Sequence, residues 1–154
     1  MKTIRISFLA ILISLLAASS VSAQQKAAGD IKMMVESKSF VFTAETARPM
    51  RGGNQQLSGG YDLTVNPGSI VAYLPYYGRA QTIPIDASDG GVKFSSTNFQ
   101  YEAVAGKKGW KITIKTNDVS HVRQLYLTIY DNGKATLDVM NINRDDISYN
   151  GYIK

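Results

Sequence analysis

From Ser39 to the C-terminus, apolar side chains recur at every second position and turn-forming residues interrupt them repeatedly, a pattern no helix accommodates. In the first such stretch Phe40, Phe42 and Ala44 alternate with Val41, Thr43 and Glu45. Successive side chains of a strand point to opposite faces, so the pattern predicts a sheet with one dry and one hydrated side. Asn66-Pro67-Gly68-Ser69 reads as a tight hairpin turn, with proline presetting φ at the second position and glycine supplying positive φ at the third. The register that keeps the apolar residues on one face pairs Val65 with Ile70, Leu63 with Ala72 and Tyr61 with Leu74.

Two further hairpins obey the same logic. Gly106-Lys107-Lys108-Gly109 joins 98–105 to 110–117, pairing Ala103 with Ile112 and Tyr101 with Ile114. Gln100, Glu102, Lys111, Thr113 and Lys115 then share a wet face. At Asp131-Asn132-Gly133 a two-residue loop would set Leu127 opposite Asp138 and bury a carboxylate. A three-residue loop with Gly133 left-handed instead pairs Leu127 with Leu137, Ile129 with Ala135 and Leu125 with Val139. The glycine-rich stretch Arg48 to Gly60 reads as a long loop, Arg79–Asp86 as an edge strand because of Pro84, and Val92–Ser95 as a short strand. Ile147, Tyr149, Gly151 and Ile153 alternate as a closing strand. About nine short strands make residues 39–154 a single mainly β domain, an antiparallel β-barrel or β-sandwich.

Two segments precede it. Lys2 and Arg5, the apolar run Ile6 to Ala18, and Val21-Ser22-Ala23 form a signal peptide over residues 1–23, with cleavage expected after Ala23. The run of 13 residues is too short to cross roughly 30 Å of hydrocarbon at about 1.5 Å per residue. Residues 24–38 read as a short amphipathic helix, with Ile31, Met34 and Val35 on one face and Asp30 near its start. Removal of the leader leaves 131 of the 154 residues, enough for one domain with one core.

The absence of cysteine excludes a disulfide and a lipid on an N-terminal cysteine, so packing alone must hold the fold. The leader carries two of the 17 basic residues and none of the 12 acidic ones, leaving a net charge of +3. That mild excess and an exported, periplasmic or secreted location speak against nucleic acid as a partner. A small apolar, glycan or anionic envelope ligand fits better, with no transmembrane span once the signal is removed; the oligomeric state stays open.

No constellation of residues carries a catalytic signature. His121, the only histidine, has Asp118 and Ser120 near it in sequence but no glycine-flanked strained serine, and reads as a solvent-facing residue in a loop. One histidine and no cysteine leave no zinc or copper site, and Asp131, Asp145 and Asp146 lack the spacing of a calcium loop. Asp145 and Asp146 beside Arg144 read as turn formers and salt links, and no cofactor is implied. Asp62, Glu102 and Asp138 fall on polar strand faces in the registers above. Lys107, Lys108, Lys111 and Lys115 read as protection of an exposed edge.

The most informative segment is Tyr73-Leu74-Pro75-Tyr76-Tyr77-Gly78-Arg79. Pro75 and Gly78 should break the strand and present Tyr76, Tyr77 and Arg79, with Tyr73 beside them, as a binding surface; the alternative is that the tyrosines cap the core and Arg79 pairs with an acid such as Asp86. Leu74 to Ala80, Gly90-Gly91-Val92-Lys93-Phe94, Gly109-Trp110-Lys111-Ile112, and Asn143-Arg144 followed by Ile147-Ser148-Tyr149-Asn150-Gly151 are similar to the hallmark blocks of an uncharacterised exported family of Bacteroidetes, a domain of unknown function. The resemblance spans roughly Lys32 to Ile153 and implies a periplasmic or envelope location, but no activity. The expectation is an exported, non-enzymatic binding module of the envelope. The competing expectations are a carboxylate-dependent hydrolase of glycans or esters, and a structural or assembly protein.

Overall fold

The computed structural model describes residues 28–79 and 90–154. The signal peptide expected over 1–23, the start of the helix expected from residue 24, and residues 80–86 of the expected edge strand lie outside the described residues.

The helix α1 occupies residues 28–37. Its apolar face buries Ile31 and Val35 in the core, while Lys32, Met33 and Glu36 face water. It ends in a Schellman arrangement: the Lys38 N–H donates to the Val35 carbonyl, the Ser39 N–H donates to the Met34 carbonyl at 3.0 Å, and Lys38 itself is left-handed at φ 53°. That backbone reversal turns the chain directly into the first strand.

Among the described residues the helix is succeeded by ten strands: β1 (Phe40–Pro49), β2 (Gln55–Gln56), β3 (Asp62–Asn66), β4 (Ser69–Leu74), β5 (Val92–Ser96), β6 (Phe99–Gly106), β7 (Gly109–Thr116), β8 (Val122–Tyr130), β9 (Lys134–Asn141) and β10 (Ile147–Ile153). Nine form one antiparallel sheet in the order β5-β4-β3-β1-β10-β9-β8-β7-β6, and β2 pairs with β1 from the side. The two edges, β5 and β6, are consecutive in the chain, so the sheet curls round until only Thr97 and Asn98 separate them. The result is a nearly closed barrel, one of the two architectures left open by the strand pattern.

Asp118, from the β7–β8 connection, clamps this seam. Its carboxylate accepts from the Ser96 hydroxyl at 2.5 Å and from the Thr97 and Asn98 N–H groups at 2.9 and 3.1 Å. These hydrogen bonds hold its carboxyl below the usual carboxylate range, the Ser96 bond contributing most. The helix reaches the same seam, because the Tyr101 hydroxyl on β6 donates to the Val35 carbonyl at 3.0 Å and the Lys38 ammonium lies 5.2 Å from the centre of the Tyr101 ring.

The three expected hairpin registers are present, except that the first ladder ends at the Asp62–Tyr73 pair: Tyr61 precedes β3 and stacks on Tyr73, so the expected Tyr61–Leu74 pair is not formed. Gly133 takes φ 81°, and the Gly133 N–H donates to the Tyr130 carbonyl, as a three-residue loop requires. Two further local expectations fail. Gly68 is not left-handed, because proline at the second turn position suits a type I turn as well as a type II turn. The strand beginning at Phe40 does not end before Arg48 but runs to Pro49, and Gln55–Gln56 pairs with Thr46 and Ala47 inside the segment read as loop. The cause is a bulge between Ala44 and Thr46, which resets the alternation so that Ala47 again faces inward.

The inward residues, among them Phe42, Leu63, Leu74, Ile114, Leu125, Leu137 and Tyr149, are fully buried and belong to one contiguous core. Each large apolar side chain so buried contributes about 1.5–3 kcal/mol. The outward residues of β6 and β7 include Gln100, Glu102, Lys111 and Lys115, all exposed. Among the described residues no helix is long and apolar enough to cross a membrane.

Candidate functional site

Leu74 ends β4 fully buried, and Pro75 cannot extend the ladder, so the chain leaves the sheet at the position the sequence marks. Beyond Pro75 a dense set of hydrogen bonds ties the chain down. The Tyr76 hydroxyl donates towards the carbonyls of Asp145 at 2.9 Å and Arg79 at 3.1 Å, and the Asp145 N–H donates to the Arg79 carbonyl at 3.0 Å. The buried Tyr149 hydroxyl donates to the Pro75 carbonyl at 2.6 Å. A β-carbon on Gly78 would lie 2.2 Å from the Tyr76 hydroxyl oxygen, so the small residue there lets the ring fold back.

Arg144 is the centre of this network. Its guanidinium carbon sits 4.5 Å from the centre of the Tyr76 ring. Nε donates to the Asn141 side-chain oxygen at 3.0 Å, and Nη1 donates to the carbonyls of Gly90 and Gly91 at 3.3 and 3.2 Å. Asn143 is left-handed at φ 61°, which a short polar side chain tolerates, and it turns Arg144 back towards the barrel. Burial lowers the Arg144 pKa and raises those of Tyr76 and Tyr149. Three of the sequence blocks that carry the family resemblance therefore meet around one side chain. The salt links expected between Arg144 and its neighbouring acids are not formed; Asp146 instead accepts the Asn141 N–H at 2.8 Å, and Asp145 takes part through its backbone.

The four residues expected to form a binding surface are placed differently from one another. Tyr76 is half-buried and committed to the fold. Tyr73 points outward from β4, stacked on Tyr61 at 5.9 Å with the Lys93 ammonium 4.4 Å from its ring centre. Tyr77 and Arg79 are exposed at the strand end. Tyr76 and Arg79 do touch, but through the Arg79 carbonyl rather than its guanidinium. His121 is not solvent-facing: it is half-buried, edge-on to Phe94 with ring centres 6.1 Å apart. Burial first, and the charge of Arg144 second, lower its pKa.

A second region, not anticipated from the sequence, lies on the outer wall. Strand pairing sets Tyr126 opposite Asp138, Asp138 opposite Ser148, and Ser148 opposite Arg48, a row across β8, β9, β10 and β1. The Ser148 hydroxyl donates to Asp138 at 2.5 Å and fixes its orientation. Arg48, Pro49, Met50 and Asn54, at and beyond the end of β1, form one side of a groove of about 460 Å³ over this row, with Met140 and Asp146 also lining it. That volume lies in the range of small-molecule sites. The lining offers two carboxylates, one guanidinium, a hydroxyl, a carboxamide and a tyrosine ring 41% exposed. Its residues come from four strands and two loops, the one after β1 and the one between β9 and β10. The sequence signal for it was the outward parity of Tyr126, Asp138 and Ser148; Val139 and Ile147 point inward, and the β1 bulge puts Arg48 out of phase with Phe40, Phe42 and Ala44.

Among the described residues no three His, Asp or Glu side chains converge as a metal site. Fold and surface together define a small antiparallel β-barrel with a packed interior and a polar groove on its outer wall. The chain belongs to the domain of unknown function family DUF4251, which matches residues 22–153. Membership agrees with the family resemblance read from the sequence. A crystal structure of a DUF4251 family protein from Bacteroides eggerthii DSM 20697 is similar, with 15% identity, a TM-score of 0.58, and coverage of 86% of this chain and 89% of that one. At that identity the likeness is one of fold. No curated protein matches.

Proposed function

We propose that this protein is an exported, non-enzymatic binding module of the cell envelope that takes its ligand in the outer groove between Arg48, Tyr126, Asp138 and Ser148. The observation that carries this reading is the groove itself, sized for a small molecule and lined by preset polar groups, on a barrel whose interior is occupied by its own side chains. A packed interior argues against a ligand carried inside the barrel. Export rests on the leader read over residues 1–23, and N-terminal sequencing of the protein from its own cells should begin at Gln24. Tyr73, Tyr77 and Arg79 supply exposed contact surface elsewhere, while Tyr76 serves the fold.

The test is native mass spectrometry of protein isolated from its own envelope fraction. A bound species should be present, and lost in the Tyr126→Ala/Asp138→Asn double variant. Wild-type protein recovered ligand-free under the same conditions, or a bound species that the double variant retains, overturns the reading.

One observation favours a second reading, hydrolysis. Asp138 and Asp146 both line the groove, and two carboxyl groups facing each other across a cleft are what glycosidic acid/base chemistry requires. Each already accepts a hydrogen bond from the fold, Asp138 from Ser148 and Asp146 from the Asn141 N–H. Turnover of a glycan or ester, abolished separately by Asp138→Asn and by Asp146→Asn, would establish hydrolysis over binding alone.

A further inference from the structure

The chemistry of the groove points to one class of occupant, and this inference rests on the reading of the groove as a binding site. We infer that it takes a neutral or amino-substituted saccharide unit and rejects phosphorylated or sulfated ones.

Charge comes first. The lining holds Asp138 and Asp146 against the single cation Arg48, so it is net negative on a chain whose overall charge is +5, or +3 without the leader. A phosphate or sulfate entering it would meet like charge twice for each favourable contact. The exposed cations Lys107, Lys108, Lys111 and Lys115 lie on the β6–β7 hairpin, beyond the β8 end of the row and outside the groove. An ammonium group, by contrast, is attracted by both carboxylates.

The polar pattern comes second. A fatty chain laid in the groove would take Asp138, Asp146 and Arg48 out of water without replacing their hydrogen bonds. Hydroxyl groups donate and accept at once, and the lining presents acceptors in the carboxylates and in Ser148, whose own proton goes to Asp138, donors in the guanidinium, and both in Asn54. Arg48, Ser148 and Asp138 sit on neighbouring strands, spaced by about 4.8 Å, a distance comparable to the separation of substituents across a sugar ring, while Asn54 and Asp146 come from the flanking loops. Asp138 is held in position before any ligand arrives, by the Ser148 hydroxyl.

The aromatic ring comes third. Tyr126 stands at one end of the row with 41% of its surface exposed. A rigid amphipathic ring offers a flat apolar face to the C–H side of a pyranose and a hydroxyl to its rim. Apolar contact, a directed polar row and negative charge thus coincide in one groove.

The inference is tested by ¹H–¹⁵N shift titration of protein expressed from the full chain, using the glucosamine disaccharide, diacetylchitobiose, cellobiose and glucose 6-phosphate as probes. The glucosamine disaccharide should produce saturable shifts at residues 48–54, 138–140 and 146–148, with an affinity at least fivefold above that for glucose 6-phosphate. Tyr126→Ala should weaken every saccharide about tenfold, and Asp138→Asn should abolish the preference for the amino sugar. Unchanged thermal melting of each variant establishes that the fold is retained. Glucose 6-phosphate binding as tightly as the amino sugar, or saccharide affinity unaltered in folded Tyr126→Ala, overturns the inference. A groove-bound lipid or peptide found by native mass spectrometry, with no saccharide shifts, overturns the saccharide class while leaving the binding module standing. A ligand-free groove with no shifts removes both.

Discussion

The Arg144 guanidinium lies over Tyr76 with its central carbon 4.5 Å from the ring centre, while the Tyr76 hydroxyl reaches back to the carbonyl of Asp145, the residue after Arg144. Each residue thus holds the segment that carries the other. The pair fastens the β4 exit to the β9–β10 connection and, through Gly90 and Gly91, to the start of β5. Arg144→Ala removes the stacked cation and three hydrogen bonds in one step. The expected loss is about 3 kcal/mol, or roughly 10 °C in thermal midpoint. Arg144→Lys should recover little of it, because an ammonium cannot reach three acceptors in the guanidinium's fixed plane. Thermal denaturation of both variants is the measurement.

Tyr101 gives the fold an alkaline limit. Burial pushes its phenol up from 10.0 to about 12, so the protonated form is the one the fold favours. A raised folded pKa means that the contribution is complete below pH 10 and declines as pH climbs towards 12. Denaturant unfolding between pH 9 and 12 should therefore show falling stability. In Tyr101→Phe, which has no phenol to ionise and has lost the hydrogen bond to Val35, the fall should be shallower from a lower starting value.

His121 sets a limit at the acid end. Its folded pKa lies below 6.5, so the unfolded chain takes up the proton first as pH drops. Stability from this residue is complete above 6.5 and is lost as pH falls from there to the folded value. An NMR titration of the imidazole should give a midpoint below 6.5 in the wild type. In Arg144→Gln, where the neighbouring charge is gone, the midpoint should move upward. A midpoint that does not respond would assign the shift to burial alone.

Gly151 is a packing requirement of the sheet. A β-carbon there would stand 1.9 Å from the Thr43 carbonyl oxygen, which belongs to the backbone of the neighbouring strand β1 and cannot swing aside. Gly151→Ala should force β1 and β10 apart at the bulge and destabilise the protein by about 3 kcal/mol. Loss of amide protection in Phe42 to Ala44 by hydrogen exchange locates the damage.

Much of the sheet was legible in the chain because its registers are local. In each hairpin the turn and the alternating apolar residues lie within about twenty positions, and a one-residue slip would expose the whole apolar set, so Leu127 and Leu137 had a single satisfactory pairing. The β1 bulge was hidden, because an extra residue at Glu45 leaves an apparently random stretch where two in-phase strand segments join. Arg144 was hidden for another reason. Its partners lie up to 68 residues away, from Tyr76 to Asn141, and nothing in a run of Asn, Arg and Asp distinguishes a guanidinium that stacks on a distant ring from one that pairs with its neighbours.

The sequence by itself determined the class of structure and each hairpin's pairing, since alternation and turn chemistry act between residues close in the chain. Only the tertiary structure decided that the sheet curls into a barrel rather than splitting into two layers, because this depends on β1 pairing with both β3 and β10, strands far apart in sequence. The same closure sets Arg48, Tyr126, Asp138 and Ser148 side by side on the outer wall. Their proximity arises from hydrogen bonds between four backbones, and no property of the individual side chains encodes it.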